Sequence, residues 1–401
     1  MVCNSKNRYA GQGSRKGGRH DGGDQKRDFT ISVCDEELNA LKTKLASAKF
    51  PGKDCFEKNR DLGICSPEFD RLISYWLNKY DWKKHESQLN RFHQYMVTID
   101  GVDIHFILEK GETQNAVPVI FSHGWPDSFL RYTKVIRSLT QKRVLADGSE
   151  ISFDVIIPSV IGFGFSGYSN AISINNESIA DFWCKLMVDE LGYKKFIAAG
   201  GDVGSGITRY LAKNYPEHLS GIYLNDVGLI RDLMVYRDSF TDEEKLYYET
   251  VSKWMKEESG YMSIQSTKPR TLAFALSDSP AGLAAWIFEK FHSWGDRQSC
   301  LSYEDVITNI MIYWLTNTIY TSCRIYRENS CRLTPVGNIK VPTGVSLFAK
   351  DVVLPPESWI EKHFNLIHFS RIESGGHFTA MENPDAYCED FVKFAQLLFK
   401  N

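Results

Sequence analysis

The chain has 401 residues, of which 43% are hydrophobic and 24% charged, so it can bury a sizeable core and is not disordered as a whole. Lys plus Arg number 47 against 50 Asp plus Glu, a net of −3, which lacks the basic footprint of a dedicated nucleic-acid binder. No apolar run approaches the roughly 18 residues of a spanning helix and no apolar segment follows the amino terminus, so no transmembrane anchor and no secretion are expected. Nine cysteines without metal-ligand spacing then read as reduced, mostly buried thiols of a cytoplasmic protein.

Residues 1–28 are rich in Gly, Lys, Arg, Asn and Ser and read as a disordered basic tail. Seven Lys/Arg against three Asp give that tail +4, leaving −7 for the rest. Residues 29–92 read as a helical extension. Leu38, Leu41, Leu45 and Ala48 fall at helical spacing, and Ser66-Pro67-Glu68 is a helix start followed by Phe69, Leu72, Ile73 and Trp76 on one face. At 93 the period changes. Tyr95–Ile99 and Val102–Leu108 flank Asp100-Gly101, a hairpin signal. Buried-strand runs follow at Val117–Phe121, Phe153–Pro158, Phe196–Ala199 and Gly221–Leu224, with an amphipathic helix at Ser178–Leu191 stopped by Gly192.

This alternation predicts a mostly parallel twisted sheet with helices on both faces, its first part spanning 93–227. Residues 228–335 break the rhythm: they look helical and carry eight of the 19 tyrosines, as expected of a lid inserted into one sheet. The second part, 336–401, resumes with strands at Val345–Ala349 and Leu366–Ile372 and a last helix near Asp385–Phe399.

Three motifs carry chemistry. Gly200-Gly201-Asp202-Val203-Gly204 follows an apolar strand and precedes a helical run, the arrangement of a nucleophile elbow whose neighbours at −2 and +2 must lack bulk. The centre is Asp202, whose carboxylate can displace at carbon to form an ester beside the positive end of the following helix. An Asp capping a helix in a glycine-rich turn would look the same on this motif alone. Ser122-His123-Gly124-Trp125-Pro126-Asp127 follows an early strand, where the Trp125 amide can complete an oxyanion hole with that of Val203; His123 reads as structural. Ser374-Gly375-Gly376-His377-Phe378 follows the last strand and mounts a histidine on a flexible glycine loop, as a base reaching back to the elbow would be. The base needs an orienting carboxylate, and both Asp351 and Asp226 follow a strand; chain position leaves the two open.

With those residues in hand, the chain resembles the epoxide hydrolases of the α/β-hydrolase fold, closest to the microsomal-type branch with its soluble fungal members, over about residues 29–400. The likeness runs through His123-Gly124-Trp125-Pro126, the elbow, Gly375-Gly376-His377-Phe378 and three insertion segments, Gly260–Gln265, Leu276–Leu283 and Tyr326–Asn329. It implies Asp202 as nucleophile, His377 as base, Asp351 as the acid, Trp125 and Val203 as oxyanion donors, and Tyr261 and Tyr326 as the pair that binds and protonates the epoxide oxygen beside Trp125. It also implies a cis Trp125–Pro126 peptide, no metal or organic cofactor, and a small lipophilic epoxide plus water as partners; a homodimer is left open. Phe348-Ala349 departs from the Phe-Pro common before the acid, and a polar tail stands where membrane-bound members carry an anchor. A dehalogenase or a non-catalytic ligand-sensing scaffold are the competing classes. The former needs halide donors where Val203 and Trp125 stand, and the latter usually lacks a triad member.

Overall fold

A computed structural model describes residues 26–51, 63–64, 66–145, 147–227, 230–299, 301–331 and 336–399. The tail up to residue 25 lies outside them. Lys26–Asp28, read from sequence as the tail's end, are ordered: Arg27–Asp28 form strand β1, paired antiparallel with β2 (Gln94–Ile99) at Arg27↔Met96. The pairing partner lies almost 70 positions away, so local composition could not signal it.

Beyond β1, Phe29, Ile31 and Val33 alternate inward. Their backbone is gripped by side chains: Asn90 exchanges two hydrogen bonds with Ile31 (2.9 and 2.8 Å), and Glu86 accepts from Val33 N (2.8 Å). Helices α1 (Asp35–Ala46), α2 (Ser66–Asn78) and α3 (Trp82–Leu89) follow. Leu41 and Leu45 of α1 are buried, as is the predicted face of α2 (Phe69, Leu72, Ile73, Trp76).

Strands β2 and β3 (Val102–Glu109) form the expected hairpin, with Asp100 and Gly101 both at positive φ (50° and 75°), as a two-residue turn matched to strand twist requires. The sheet continues through β4 (Val117–Ser122), after which come α4 (Ile136–Thr140) and a small separate hairpin, β5 (Arg143–Val144) with β6 (Glu150–Ile151). Then follow β7 (Phe153–Pro158), α5 (Asn176–Lys185), β8 (Phe196–Gly200), α6 (Val203–Asn214) and β9 (Leu219–Leu224). Helix α5 opens on an Asn175/Ser178 capping box, and its last turn widens to π geometry over Leu186–Glu190 before Gly192 at positive φ.

Between β9 and β10 (Ile339–Phe348) the described residues form seven α-helices: α7 (Ile230–Val235), α8 (Asp242–Glu258), α9 (Gly260–Thr267), α10 (Pro269–Asp278), α11 (Pro280–Trp294), α12 (Tyr303–Thr316) and α13 (Ile319–Ser330). Strand β10 starts six residues earlier than its apolar run suggests, because Lys340, Pro342 and Gly344 interrupt the pattern and the register shifts there. Last come α14 (Glu357–Glu361), β11 (Phe364–Ile372), α15 (Thr379–Glu382) and α16 (Pro384–Phe399).

The nine-stranded sheet has the order β1-β2-β3-β7-β4-β8-β9-β10-β11, antiparallel up to β7 and parallel from β7 onward. Its central strands are buried throughout, as a sheet covered on both faces demands. This is the α/β-hydrolase fold. Among the described residues no single helix is long and apolar enough to cross a membrane; α10 and α11 would pass only together, and they meet at 117°.

The parallel strands end side by side; Gly204 sets how closely the elbow meets the end of β4, and Gly200 how tightly β8 turns into α6. A Cβ on Gly204 would lie 1.9 Å from the Ser122 carbonyl oxygen, and one on Gly200 would lie 2.3 Å from that of Gly204. Both obstacles are backbone and cannot rotate away. Gly204→Ala is therefore expected to destabilise the fold by at least about 1–3 kcal/mol. Chemical denaturation monitored by tryptophan fluorescence measures it.

Candidate active site

Every residue singled out for chemistry in the core sits just past the carboxyl end of a parallel strand, where open α/β sheets bind ligands. Asp202 follows β8 with φ 55° and ψ −128°, a conformation that costs a residue bearing a Cβ about 1–3 kcal/mol. The strain turns the carboxylate out of the sheet toward three neighbours. Trp125 N–H donates to Oδ1 at 2.8 Å, and His377 Nε2 stands 3.4 Å from Oδ2. Gly124 must be glycine here, since a Cβ would lie 2.3 Å from Asp202 Oδ1. Val203 occupies the first helical position of α6, where its N–H has no intrahelical acceptor.

The Trp125–Pro126 peptide is cis. The loop that holds it is fixed by buried polar groups. Asp127 Oδ1 accepts from Gly124 N (2.8 Å), and its Oδ2 pairs with Arg131 Nε. Arg131 Nη1 then reaches the His377 carbonyl at 2.9 Å. Burial opposes charge on Asp127, yet the Arg131 guanidinium, aided by His123, holds its pKa down at about 2. His123 is fully buried, with Nε2 accepting from Val160 N (3.0 Å) and Nδ1 on the Gly124 carbonyl (3.0 Å), so both ring nitrogens are engaged in structure.

His377 Nδ1 lies 2.8 Å from Asp351 Oδ1. Asp226 lies in the same cavity, but the ring nitrogen meets Asp351. Burial works against the imidazolium, but Asp351 and then Asp202 outweigh it and hold the His377 pKa well above its ordinary value. The loop is not flexibly mounted, contrary to the expectation from its glycines. Gly376 N and Phe378 N both donate to Glu382 (3.0 and 2.7 Å), and His377 N donates to the Trp294 carbonyl (2.9 Å).

The insertion supplies the opposite wall. Tyr261 stacks on Trp125 at 5.3 Å and 6° between planes, while Tyr326 meets the same indole edge-on at 5.8 Å and 87°. The two phenols are 5.8 Å apart, centroid to centroid. Burial, then Asp202 for Tyr261 and Tyr261 for Tyr326, pushes both pKa values well up, so both hydroxyls keep their protons. The segment after Tyr326 anchors the helix: Glu328 accepts from Ser173 (2.6 Å) and from Ile174 N, and Asn329 accepts from Asn176 N (3.0 Å).

Asp202, His377 and Asp226 line a partly open cavity of about 80 Å³, walled mainly by Tyr247, Trp254, Tyr261 and Trp294; Trp125, Tyr326 and Asp351 are not among its lining residues. A wider open groove of about 440 Å³ between α3 and α12 contains none of the site residues. Tyr247, Trp254, Trp294, Arg131 and Glu382 were not singled out from sequence. For Arg131 the available signal was its i, i+4 spacing from Asp127. For the three aromatic wall residues nothing separated them from core rings.

Arg131→Met would leave the Asp127 carboxylate buried without its cation, at an expected cost of about 3–5 kcal/mol near neutral pH. In the native protein the depressed Asp127 contributes stability above the ordinary carboxylate range and loses it as pH falls toward about 2. In the variant, burial unopposed raises that pKa, so the deficit should narrow on acidification. Urea titrations of both proteins between neutral and acid pH check the magnitude and the direction.

Comparison with known proteins agrees with this geometry. Residues 26–132 match the family model for the epoxide hydrolase N terminus, and residues 117–280 match that for the alpha/beta hydrolase fold. Epoxide hydrolase 1 of Sus scrofa is 36% identical over 426 residues, covering 97% of this chain and 92% of its own. Juvenile hormone epoxide hydrolase 2 of Ctenocephalides felis is 33% identical, covering 91% and 84%. The structure of Aspergillus niger epoxide hydrolase superposes with a TM-score of 0.81 at 29% identity, over 93% of this chain and 96% of that one. Likeness of this degree along nearly the whole length of both partners fixes the kinship: the chain belongs to the epoxide hydrolase family of the α/β-hydrolase fold.

Proposed function

We propose that the protein converts lipophilic epoxides to vicinal diols through an ester on Asp202. The observation that carries this is the Asp202 carboxylate itself, bound by the Trp125 amide on one oxygen and approached by His377 on the other, with Tyr261 and Tyr326 both packed on the Trp125 ring. Opening the strained ring makes an alkoxide, a poor leaving group unless it is protonated. Tyr261 and Tyr326 supply that proton while Asp202 attacks carbon from the opposite side. The C–O bond of the epoxide breaks, an ester C–O bond forms, and the phenol proton passes to the departing oxygen.

In the second step His377 Nε2 takes a proton from water, whose oxygen bonds to the ester carbonyl carbon. The amides of Trp125 and Val203 hold the oxyanion; then the ester bond breaks, the diol oxygen takes the proton from the His377 imidazolium, and the proton left on the Asp202 carboxyl passes through solvent to the phenolate, restoring both groups. Asp351 keeps Nδ1 protonated, so Nε2 is the basic nitrogen. The aromatic and aliphatic walls, including Met262, Val352 and Val353, favour an apolar substrate. The helical insertion acts as the lid over this chamber, and water is the only co-reactant.

Charge also orders the two steps. The free enzyme holds His377 as imidazolium between two carboxylates, and esterification removes the charge of one of them. The His377 pKa should therefore fall in the ester form, which frees the base when it is needed. Single-turnover decay of the ester should rise with pH through this lowered pKa, while ester formation, which needs only the Asp202 carboxylate and the phenols, should not show that limb. Rapid-quench measurement of both phases across pH tests this.

With enzyme in excess over epoxide in ¹⁸O-water, the first diol should carry no solvent label and Asp202 should acquire it. Solvent label in that first diol would overturn the ester. Asp202→Ala should abolish turnover, and His377→Gln should trap the adduct, seen as added protein mass. Tyr261→Phe and Tyr326→Phe should each slow ester formation, and the double variant should stop it.

A further inference from the structure

The carboxylate of Glu382 is 2% exposed and lies beneath the catalytic loop on the short helix α15. It gathers three backbone N–H groups: Gly376 N at 3.0 Å and Asp296 N at 2.5 Å on Oε2, and Phe378 N at 2.7 Å on Oε1. The first and third flank His377 on either side. The second belongs to the segment that leaves α11, the same segment whose Trp294 carbonyl takes the His377 N–H. Asp296 returns the contact, with Oδ2 accepting from Gly375 N at 2.9 Å. The fit is tight: a Cβ on Gly376 would lie 2.6 Å from the Trp294 carbonyl and 2.7 Å from Asp296 N. One buried carboxylate thus ties the base loop to the insertion through three backbone donors.

We infer that Glu382 is a positioning residue that fixes the His377 imidazole for the water-activating half of the reaction, with Asp296 as its partner across the loop. This rests on the two-step reading above. A carboxylate is the side chain that suits the place, because all three groups aimed at it are donors. Glutamine keeps the shape but presents one NH2 toward an N–H, so one flank of His377 must move. A displacement of about 1 Å at a reacting group costs on the order of 10²-fold in rate. The three donors that Glu382 holds belong to the histidine loop and to the segment after α11, so it acts on the step that uses His377 and not on formation of the ester.

The test compares wild type, Glu382→Gln and Glu382→Asp. In single turnovers with an aryl epoxide, Glu382→Gln should form the Asp202 ester at the wild-type rate and hydrolyse it about 10²-fold more slowly. The adduct should then accumulate in the protein mass spectrum. Glu382→Asp keeps the charge and should recover part of the loss. Equal slowing of both phases in a folded variant, or no slowing of hydrolysis, would overturn the proposal. Independently of any activity, the low-field proton of the His377–Asp351 hydrogen bond, read with ¹⁵N-histidine labelling, should be present in wild type and broadened or lost in Glu382→Gln. An unchanged resonance also overturns it. A wild-type protein that never forms the adduct would instead sink the ester mechanism, and the proton resonance would still decide the role of Glu382.

Discussion

Where β4 and β8 end, two backbones touch with no side chain between them. Gly204 lies against the carbonyls of Ser122 and His123, and Gly200 against that of Gly204. This contact brings an amide of one loop to the carboxylate of another, and the rest of the site is arranged around that meeting. A larger residue at Gly204 would push the two loops apart, and one at Gly200 would push β8 off the start of α6. The strained Asp202 backbone survives because the packing on both sides leaves it no other place.

Around this contact the chemistry depends on charges being out of water and answered in kind. Asp127 and Arg131 are buried together, and their pair reaches the carbonyl of His377, so one ion pair braces the loops on both sides of the nucleophile. His377 in turn sits between two carboxylates, Asp351 at Nδ1 and Asp202 near Nε2. Tyr261 and Tyr326 pack on the Trp125 ring, and burial holds both phenols in their neutral form. The low polarity that makes these groups costly to bury is what makes each interaction strong.

Much of this was legible in the residues. The hairpin at Asp100-Gly101, the apolar strands and the amphipathic helices follow from spacing alone, because burial on one face or two writes a period into the chain. The elbow was legible because sterics leave so few residues able to flank Asp202. Other parts were not. Arg27 and Asp28 become a strand only because a distant edge accepts them, and β10 begins under Lys340 and Pro342, which hide it. Asp226 and Asp351 both follow strands, and only the fold decides which meets the imidazole. Glu382 and Arg131 look like ordinary helix charges until separate loops converge on them; their meaning lies in three dimensions.

The bonds between the segment 294–296 and the histidine loop carry a consequence for traffic. The wall over the cavity and the base beneath it share a backbone hydrogen bond, a buried carboxylate and the Trp294 ring, which lies 5.2 Å from that of His377. That part of the wall cannot swing outward to admit a molecule without pulling the imidazole off Asp351. Movement of this corner is thereby tied to movement of the histidine loop. Segment 294–296 and the histidine loop are thus one frame, not two hinged parts.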